Sequence, residues 1–237
     1  MNVLTTASYI ICGKGLEMKI TAHSGCDSTK ENSIEFLEYA LNTNVDCVEV
    51  DIRKNEDELV LGHDEFSGVS LKQAFELLKQ HPDKKMNCDL KSENLEESVY
   101  QCAIETGVSE QLIYSGNVDI HKCSDGQKGF EKACVYFNIE NVVENIYEEK
   151  KNSEDIETAL LKIHRSGIRV VNIEYHFLRT YMISLMEQMH LKASVWTVNE
   201  KQDQQHFLQM DVVENMTTRQ VKQALELEES CLRSSKA

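Results

Sequence analysis

Two histidines follow short apolar segments and are candidates for moving protons. The segment KITAH ends at His23, and the segment ELVLGH ends at His63. Histidine titrates near neutral pH, so one imidazole can accept a proton while a second one donates a proton. A single histidine at a strand end is more often a structural residue than a catalyst. The interpretation therefore depends on the polar residues that lie beside the two histidines.

Three carboxylates and one lysine occupy alternate positions in two other segments. In CVEVDI, Glu49 and Asp51 alternate with apolar residues, and in MNCDLK, Asp89 and Lys91 do the same. Successive side chains of a strand point to opposite faces, so the polar residues of each segment share one face. Carboxylate oxygens in such a cluster suit one divalent cation, magnesium or calcium. A structural ion-pair network that includes Lys91 fits the strand pattern equally well.

The histidines favour the metal site over the ion-pair network. His23 and His63 stand at strand ends that flank the carboxylate cluster. A cation that holds an anionic group between a proton acceptor and a proton donor provides the chemistry needed to cleave a phosphodiester. Zinc is disfavoured, because no histidine stands at zinc-ligand spacing beside these acids.

Strand-like and helix-like segments alternate along most of the chain, which predicts right-handed crossovers and a parallel sheet. About eight strand–helix units fit an α/β fold of the (β/α)8 TIM-barrel type in a single domain. An open doubly wound sheet is the alternative, but it favours a GxGxxG loop that AHSGC does not match. The predicted strands cover residues 19–23, 46–53, 58–63, 85–91, 111–115, 133–139, 169–174, 192–198 and 211–214. The predicted helices cover residues 34–43, 71–81, 95–106, 155–166, 178–190, 201–209 and 219–229, with a further candidate at 119–127.

The composition is that of a globular, acidic chain. Of its 237 residues, 25 are Lys or Arg and 40 are Asp or Glu, which gives a formal charge of −15. This charge repels phosphate backbones and anionic membranes at long range, so no nucleic-acid partner is expected. No segment approaches the ~20 apolar residues of a spanning helix, so no stable membrane anchor is expected. We expect an N-terminal extension at 1–17, a barrel at 18–230 and a tail at 231–237.

The cysteines indicate a reducing environment. The chain has eight cysteines but no CxxC pair for zinc or redox chemistry. Cys47, Cys88 and Cys134 lie inside apolar strand-like segments, where free cysteine behaves as a small hydrophobic residue. We therefore expect reduced thiols and a cytoplasmic location.

Six short motifs, five of them in the first half of the chain, resemble those of the glycerophosphodiester phosphodiesterase family. AHSG followed by EN, then VEVDI, LGHDE, CDLK and VWTVN occur in family-like order between Met18 and about Leu225. The resemblance implies a (β/α)8 barrel with one divalent metal, magnesium or calcium, at its mouth. It also implies a small-molecule phosphodiester substrate, cleaved to glycerol 3-phosphate and an alcohol by two histidines that act as general acid and base.

The resemblance also implies a role for individual residues. His23 and His63 would form the catalytic pair, with the choice of acid and base left open. Asp89 stands where the family usually has a glutamate, so this ligand is one methylene shorter. The remaining roles are metal binding for Glu49, Asp51 and Asp89, stabilisation of phosphate charge for Lys91, support from the first loop for Glu31 beside Asn32, and lining of the pocket for Trp196.

Three positions depart from the family pattern. Ser24 stands where the family usually has an arginine, whose bidentate contact with phosphate serine cannot reproduce. The segment between His63 and Leu71 is short, so we expect little or no insertion after the second strand and an open site. Thr218 stands where the family typically has an aspartate near the last strand.

Three other functions stay open on the sequence alone. A barrel that binds a phosphodiester without cleaving it would act as a sensor or scaffold. A phosphodiesterase with an open site would suit a different class of diester, including one with a bulkier alcohol. A metal-dependent amidohydrolase would use His23 as a ligand, but such an enzyme would favour an HxH pair on one strand, which the sequence lacks.

Overall fold

The structure is a computed structural model that describes residues 18–124, 133–143, 146–147 and 153–234. The predicted N-terminal extension, residues 1–17, lies outside the described residues. Nine strands of the described chain form one sheet. They are β1 (Lys19–Ala22), β2 (Cys47–Asn55), β3 (Glu58–Leu61), β4 (Lys85–Leu90), β5 (Leu112–Gly116), β6 (Cys134–Asn138), β7 (Val170–Glu174), β8 (Lys192–Trp196) and β9 (Val213–Thr218).

Eight of these strands close into a parallel barrel, which confirms the predicted (β/α)8 fold. The order around the barrel is β1, β2, β4, β5, β6, β7, β8 and β9. β1 closes the ring because it pairs in parallel with β2 on one side and with β9 on the other. In the second pairing Ala22 lies opposite Thr218, so the residues that follow these two strands emerge side by side.

β3 lies outside the barrel and forms an antiparallel hairpin with β2. Arg53 pairs with Val60, and Ile52 pairs with Leu61. The turn between the two strands places Glu56 at a φ of 53°, in the left-handed region. The strand ends at Leu61, two residues before the predicted end at His63. A short loop then leads directly to the next helix at Leu71, as expected for a barrel with little inserted chain after its second strand.

The helices occupy the segments between strands. α2 begins with a capping box, in which the Ser70 side chain accepts from the Gln73 backbone and the Gln73 side chain accepts from the Ser70 backbone. α8 continues to Ser234, past residue 230, where the sequence analysis placed the start of a tail. Among the described helices, none is long and apolar enough to cross a membrane. The helices are α1 (Ile34–Leu41), α2 (Leu71–Leu78), α3 (Glu96–Thr106), α4 (Ile120–Ser124), α5 (Ser153–Arg165), α6 (Thr180–Gln188), α7 (Lys201–Phe207) and α8 (Val221–Ser234).

The interior of the barrel is polar towards the ends of its strands. Asn215 on β9 accepts a hydrogen bond from the Thr21 hydroxyl at 2.6 Å and donates to Ser194 Oγ at 3.0 Å and Thr217 Oγ1 at 3.3 Å. Thr217 therefore points into the barrel, and alternation along the strand directs the next odd-numbered position to the same side. The outward faces of the strands are apolar and pack against the helices, as with fully buried Val48 and Val50 on β2.

Candidate active site

The polar residues of interest converge at the carboxyl ends of the barrel strands. Glu49 and Asp51 lie on β2 and Asp89 lies on β4, with Asp51 directly opposite Asp89 in the strand register. His23 follows β1 immediately. In barrels of this type the carboxyl ends of the strands form the functional face. The structure thus brings together on one face residues that are far apart in the sequence.

The three carboxylates form a compact cluster. One oxygen from each of Glu49, Asp51 and Asp89 lies within 4.8 Å of the others. Burial, then the charges of Asp51 and Asp89, raise the pKa of Glu49 well above its usual range. Burial is also the main cause of the raised pKa of Asp89. For Asp51, burial raises the pKa, but Lys91 and a hydrogen bond from Asn32 oppose this effect and hold the pKa below its usual value.

Lys91 is bound within this cluster. Its Nζ lies 2.8 Å from Asp51 Oδ1 and 2.8 Å from Asp89 Oδ2. Burial lowers the pKa of Lys91, but the two carboxylates outweigh burial and raise it above the usual range. Lys91 therefore forms an ion pair with each of these two carboxylates. Among the described residues, no other lysine or arginine lies within 4 Å of Glu49, Asp51 or Asp89, so one positive charge is set against three carboxylates.

The excess negative charge and the free oxygen atoms of the cluster indicate whether Glu49, Asp51 and Asp89 could bind a metal ion. The Asp89 Oδ1 atom is buried and has no hydrogen-bond donor among the described residues. Glu49 Oε2 accepts from the Ser24 backbone at 3.1 Å and otherwise faces an imidazole. A divalent cation with oxygen ligands would neutralise the two remaining negative charges and use these atoms. The residues present therefore fit magnesium or calcium.

The first loop orients Asp51. Asn32, at a φ of 50°, donates from Nδ2 to Asp51 Oδ2 at 2.7 Å and accepts from the Asp51 backbone N–H at 3.0 Å. Ser24 is fully buried, and its hydroxyl lies 3.4 Å from Asp51 Oδ2. Ser24, which replaces the arginine expected from the resemblance, thus belongs to the support of the carboxylates and does not project into the mouth.

His23 is held as a neutral imidazole against Glu49. Its Nε2 lies 3.6 Å from Glu49 Oε2, and its Nδ1 lies 2.9 Å from the Thr197 hydroxyl. Burial is the largest cause that lowers the pKa of His23 to about 3, with further contributions from the positive charges of Arg219 and Lys91. Near pH 7 the imidazole is therefore unprotonated and has a nitrogen that can accept a proton.

His63 lies on the rim of the mouth and not in the cluster. Its side chain is 54% exposed, and its Nδ1 lies 3.2 Å from Asp64 Oδ1. Its backbone carbonyl accepts a hydrogen bond from Arg53 Nε on β2. The charge of His63 contributes to the pKa shifts of His23, Asp51 and Asp89, so it belongs to the same mouth. It stands at the solvent side of that mouth.

Trp196 lies in the wall of the mouth, whereas Glu31 is linked to the mouth through an ion pair. Trp196 ends β8 opposite Glu174 on β7, and its Nε1 is buried without an acceptor among the described residues. Trp196 thus forms part of the wall at the strand ends. Glu31 contacts none of the three acids and instead forms a 2.6 Å ion pair with Arg219. Its contribution to the site is made through that arginine.

Two residues that act on His23 were not identified from the sequence: Thr197, which contacts its Nδ1, and Arg219, whose charge lowers its pKa. Arg219 directly follows β9, and Thr197 follows β8. The register of β1 and β9 could have indicated Arg219, since it stands beside His23 once the barrel closes. Thr218, by contrast, turns away from the mouth: its hydroxyl accepts from Gln204 Nε2 at 2.8 Å in a fully buried contact with α7.

The comparisons with known proteins rest on structure. No family model and no curated protein matches the sequence. A glycerophosphodiester phosphodiesterase from Parabacteroides distasonis superposes with a TM-score of 0.72 and 17% identity, over 93% of this chain and 100% of that one. A putative glycerophosphodiester phosphodiesterase from Galdieria sulphuraria gives 0.72 and 14%, over 92% and 100%. An Oleispira antarctica phosphodiesterase, in complex with the product sn-glycerol-3-phosphate, gives 0.68 and 15%, over 89% and 96%.

These similarities define the class of fold. The chain is a (β/α)8 barrel of the kind found in glycerophosphodiester phosphodiesterases, and it matches them over nearly their full length. The resemblance noted from the sequence motifs is confirmed at the level of the fold.

Proposed function

We propose that the protein is a metal-dependent phosphodiesterase that cleaves glycerophosphodiesters to glycerol 3-phosphate and an alcohol. The main support is the cluster of Glu49, Asp51 and Asp89 at the barrel mouth, with neutral His23 3.6 Å from Glu49. The fold shared with phosphodiesterases, one of them in complex with sn-glycerol-3-phosphate, favours this substrate class. The formal charge of −15 disfavours nucleic acids as the source of the diester.

Glu49, Asp51 and Asp89 would hold one magnesium or calcium ion. When bound, such an ion supplies Lewis-acid polarisation of a phosphoryl oxygen and neutralises its charge. Asn32 keeps the Asp51 carboxylate in place through its 2.7 Å hydrogen bond. Lys91, held between Asp51 and Asp89, adds a positive charge beside the phosphate position. Trp196 would line the part of the pocket that receives the substrate.

The two histidines would transfer the protons. His23 is neutral because its pKa is lowered to about 3, so it can accept the proton of the attacking hydroxyl, which belongs to water or to the substrate. That oxygen forms its bond to phosphorus while the bond from phosphorus to the alcohol oxygen breaks. Attack by water gives glycerol 3-phosphate directly, whereas attack by the substrate hydroxyl gives a cyclic phosphate that a water molecule then opens to glycerol 3-phosphate. His63, on the rim, would donate a proton to the departing alcohol oxygen. Thr197 holds the Nδ1 side of His23, which leaves its Nε2 directed towards the carboxylates.

A panel assay tests this function. The purified protein is incubated with glycerophosphodiesters of small and bulky alcohols, with magnesium, with calcium and with EDTA, and released glycerol 3-phosphate is measured. We expect release that requires a divalent ion and stops with EDTA. Glu49→Gln should abolish it, whereas Glu58→Gln, an exposed carboxylate on β3, should leave it unchanged. Metal binding without release from any diester would instead favour a sensor or scaffold.

We also propose that the protein acts in the cytoplasm, with residues 18–230 as the catalytic barrel. The seven cysteines among the described residues are all free, which fits a reducing compartment. The protein would be treated with a thiol-specific reagent before and after reduction, and mass spectrometry would count the labelled cysteines. A disulfide would appear as extra labels after reduction. Equal labelling in the two samples is the expected result.

A further inference from the structure

Arg219 lies at the barrel mouth beside His23. It follows β9 directly, and the register that places Ala22 opposite Thr218 places His23 beside Arg219. Arg219 stands one residue beyond β9, at the position that continues the series of Asn215 and Thr217. Its positive charge lies close enough to His23 to lower the pKa of the imidazole. Its backbone is fixed on both sides, because its N–H donates to Asn199 Oδ1 at 2.9 Å and its carbonyl accepts from the Asp27 N–H at 2.8 Å.

One nitrogen of the Arg219 guanidinium makes its contacts to the protein. Nη1 donates to the Ser24 carbonyl oxygen at 2.6 Å and lies 2.6 Å from Glu31 Oε1. Among the described residues, no acceptor contacts Nε or Nη2. The side chain is 32% exposed, so a solute in the mouth can approach part of it. The guanidinium is thus anchored by one edge and open at another.

The charges around the mouth leave a role for such a group. Lys91 is bound by two carboxylates, and a third carboxylate, Glu49, lies beside His23. Lys91 is thus engaged by the carboxylate cluster, whereas Arg219 contacts none of Glu49, Asp51 and Asp89. An anionic diester that approaches His23 can therefore bind to the Arg219 guanidinium. Guanidinium groups bind phosphate oxygens through paired N–H donors in one plane, which matches the unoccupied edge of this side chain.

We propose that Arg219 is a phosphate-binding residue of this site, whose guanidinium contacts a non-bridging oxygen of the diester beside His23. This inference rests on the proposed function and adds a residue to it. Glu31 holds the guanidinium at rest and repels the incoming phosphate. Loss of the Glu31 charge, with its shape preserved, should therefore favour phosphate binding.

The test measures the dissociation constant for sn-glycerol 3-phosphate by calorimetry, together with KM and kcat for a cleaved diester. Arg219→Gln should weaken binding of sn-glycerol 3-phosphate by about 10- to 100-fold, the range for losing a hydrogen bond to a charged group. Arg219→Lys keeps the charge and should recover part of that loss. Arg233→Gln is the matched control, since its partner within the part of the chain that the structure describes is Glu229, on the same helix and also exposed, and it should bind as the wild type does.

Glu31→Gln gives a second variant with the opposite expected sign. It should tighten binding of sn-glycerol 3-phosphate severalfold, because it removes a negative charge near the phosphate while keeping an acceptor for Arg219. If Arg219→Gln does not fold, the dissociation constant of Glu31→Gln still tests the inference. Equal dissociation constants for the wild type and Arg219→Gln, or weaker binding by Glu31→Gln, would overturn the inference. Turnover by the wild type is measured separately, and its absence counts against the proposed function alone.

Discussion

At the scale of single residues, the site has more negative than positive charge. Glu49, Asp51 and Asp89 share one ammonium group from Lys91. Burial is the main cause that raises the pKa of Glu49, and the negative charges of Asp51 and Asp89 raise it further. A divalent cation removes this conflict. Without a cation, Lys91 pairs with Asp51 and Asp89. Among the described residues, the group that faces Glu49 is then the imidazole of His23, which is neutral.

Glu49→Gln should remove the response of the protein to metal. Magnesium or calcium should raise the Tm of the wild type, because an ion that binds only the folded state stabilises it by mass action. An ion present at about 100 times its Kd contributes about 2.7 kcal/mol. The measurement is a thermal melt with and without each ion. Glu58→Gln should retain the full shift, and a preserved shift in Glu49→Gln would remove Glu49 from the ligand set.

His23→Ala and His63→Ala should abolish turnover and preserve the metal response. General acid–base groups typically contribute about 10²- to 10⁴-fold each, so kcat should fall by that order in each variant. The same thermal melts report whether metal still binds. Loss of the metal-induced shift in His23→Ala would reassign His23 from proton transfer to metal ligation, as in the amidohydrolase alternative.

At the scale of elements, the end of β5 shapes the cluster. Gly116 has a φ of 76°, a conformation that favours glycine. A Cβ at this position would collide with Asp89 Oδ1 and with the backbone of Leu90 on the neighbouring strand. Asp89 can therefore lie between β4 and β5 only because residue 116 has no side chain.

Gly116→Ala should both destabilise the barrel and weaken metal binding. The left-handed backbone costs about 1–2 kcal/mol for a residue with a Cβ, and the collision displaces Asp89. Gly167→Ala is the matched control: its φ is 89°, but a Cβ there meets nothing within 4 Å. It should show the backbone cost alone in urea unfolding. Equal effects of the two substitutions on stability and on metal affinity would exclude the role given to Gly116.

The hairpin of β2 and β3 is the other element that shapes the mouth. It carries the loop with His63 at the rim, and Arg53 on β2 binds the His63 carbonyl. The strand pattern indicated a histidine at a strand end, whereas the structure places His63 two residues beyond Leu61 in a loop. His23 also lies just beyond its strand, but its backbone N–H still donates to the Thr218 carbonyl of β9 at 2.9 Å, which continues the strand pairing. His63 lies further out in a loop, and its side chain is 54% exposed.

At the scale of the whole molecule, one buried core connects all eight strands of the barrel with the helices around it. Phe75 of α2 is fully buried in this core, whereas Phe66, in the loop before the helix, is 51% exposed. Burial of an aromatic side chain contributes both transfer free energy and packing. The two phenylalanines therefore form a matched pair for testing the core.

Phe75→Ala should lower the free energy of unfolding by about 3–5 kcal/mol, the cost of a large cavity in a packed core. Phe66→Ala should change it by less than about 0.5 kcal/mol, as expected for an exposed position. Urea unfolding measures both. A small effect of Phe75→Ala would mean that α2, which packs against α1, α3 and β3, does not belong to the cooperative core.

The sequence by itself determined the alternation of strands and helices and, through the two-residue period of strands, the shared face of Glu49 with Asp51 and of Asp89 with Lys91. Those are local properties, because the direction of a side chain follows from its own strand. It also placed His23 at a strand end. The motif order then pointed to the same barrel that the structural comparisons show.

Only the tertiary structure decided which distant residues meet. Thr197 and Arg219 reach His23 because β8, β9 and β1 become neighbours when the barrel closes, and a sequence separation of this length carries no distance information. The pairing of Glu31 with Arg219 has the same origin. The low pKa of His23 also depends on the fold, since burial and the charges of Arg219 and Lys91 arise only when all the strands are assembled.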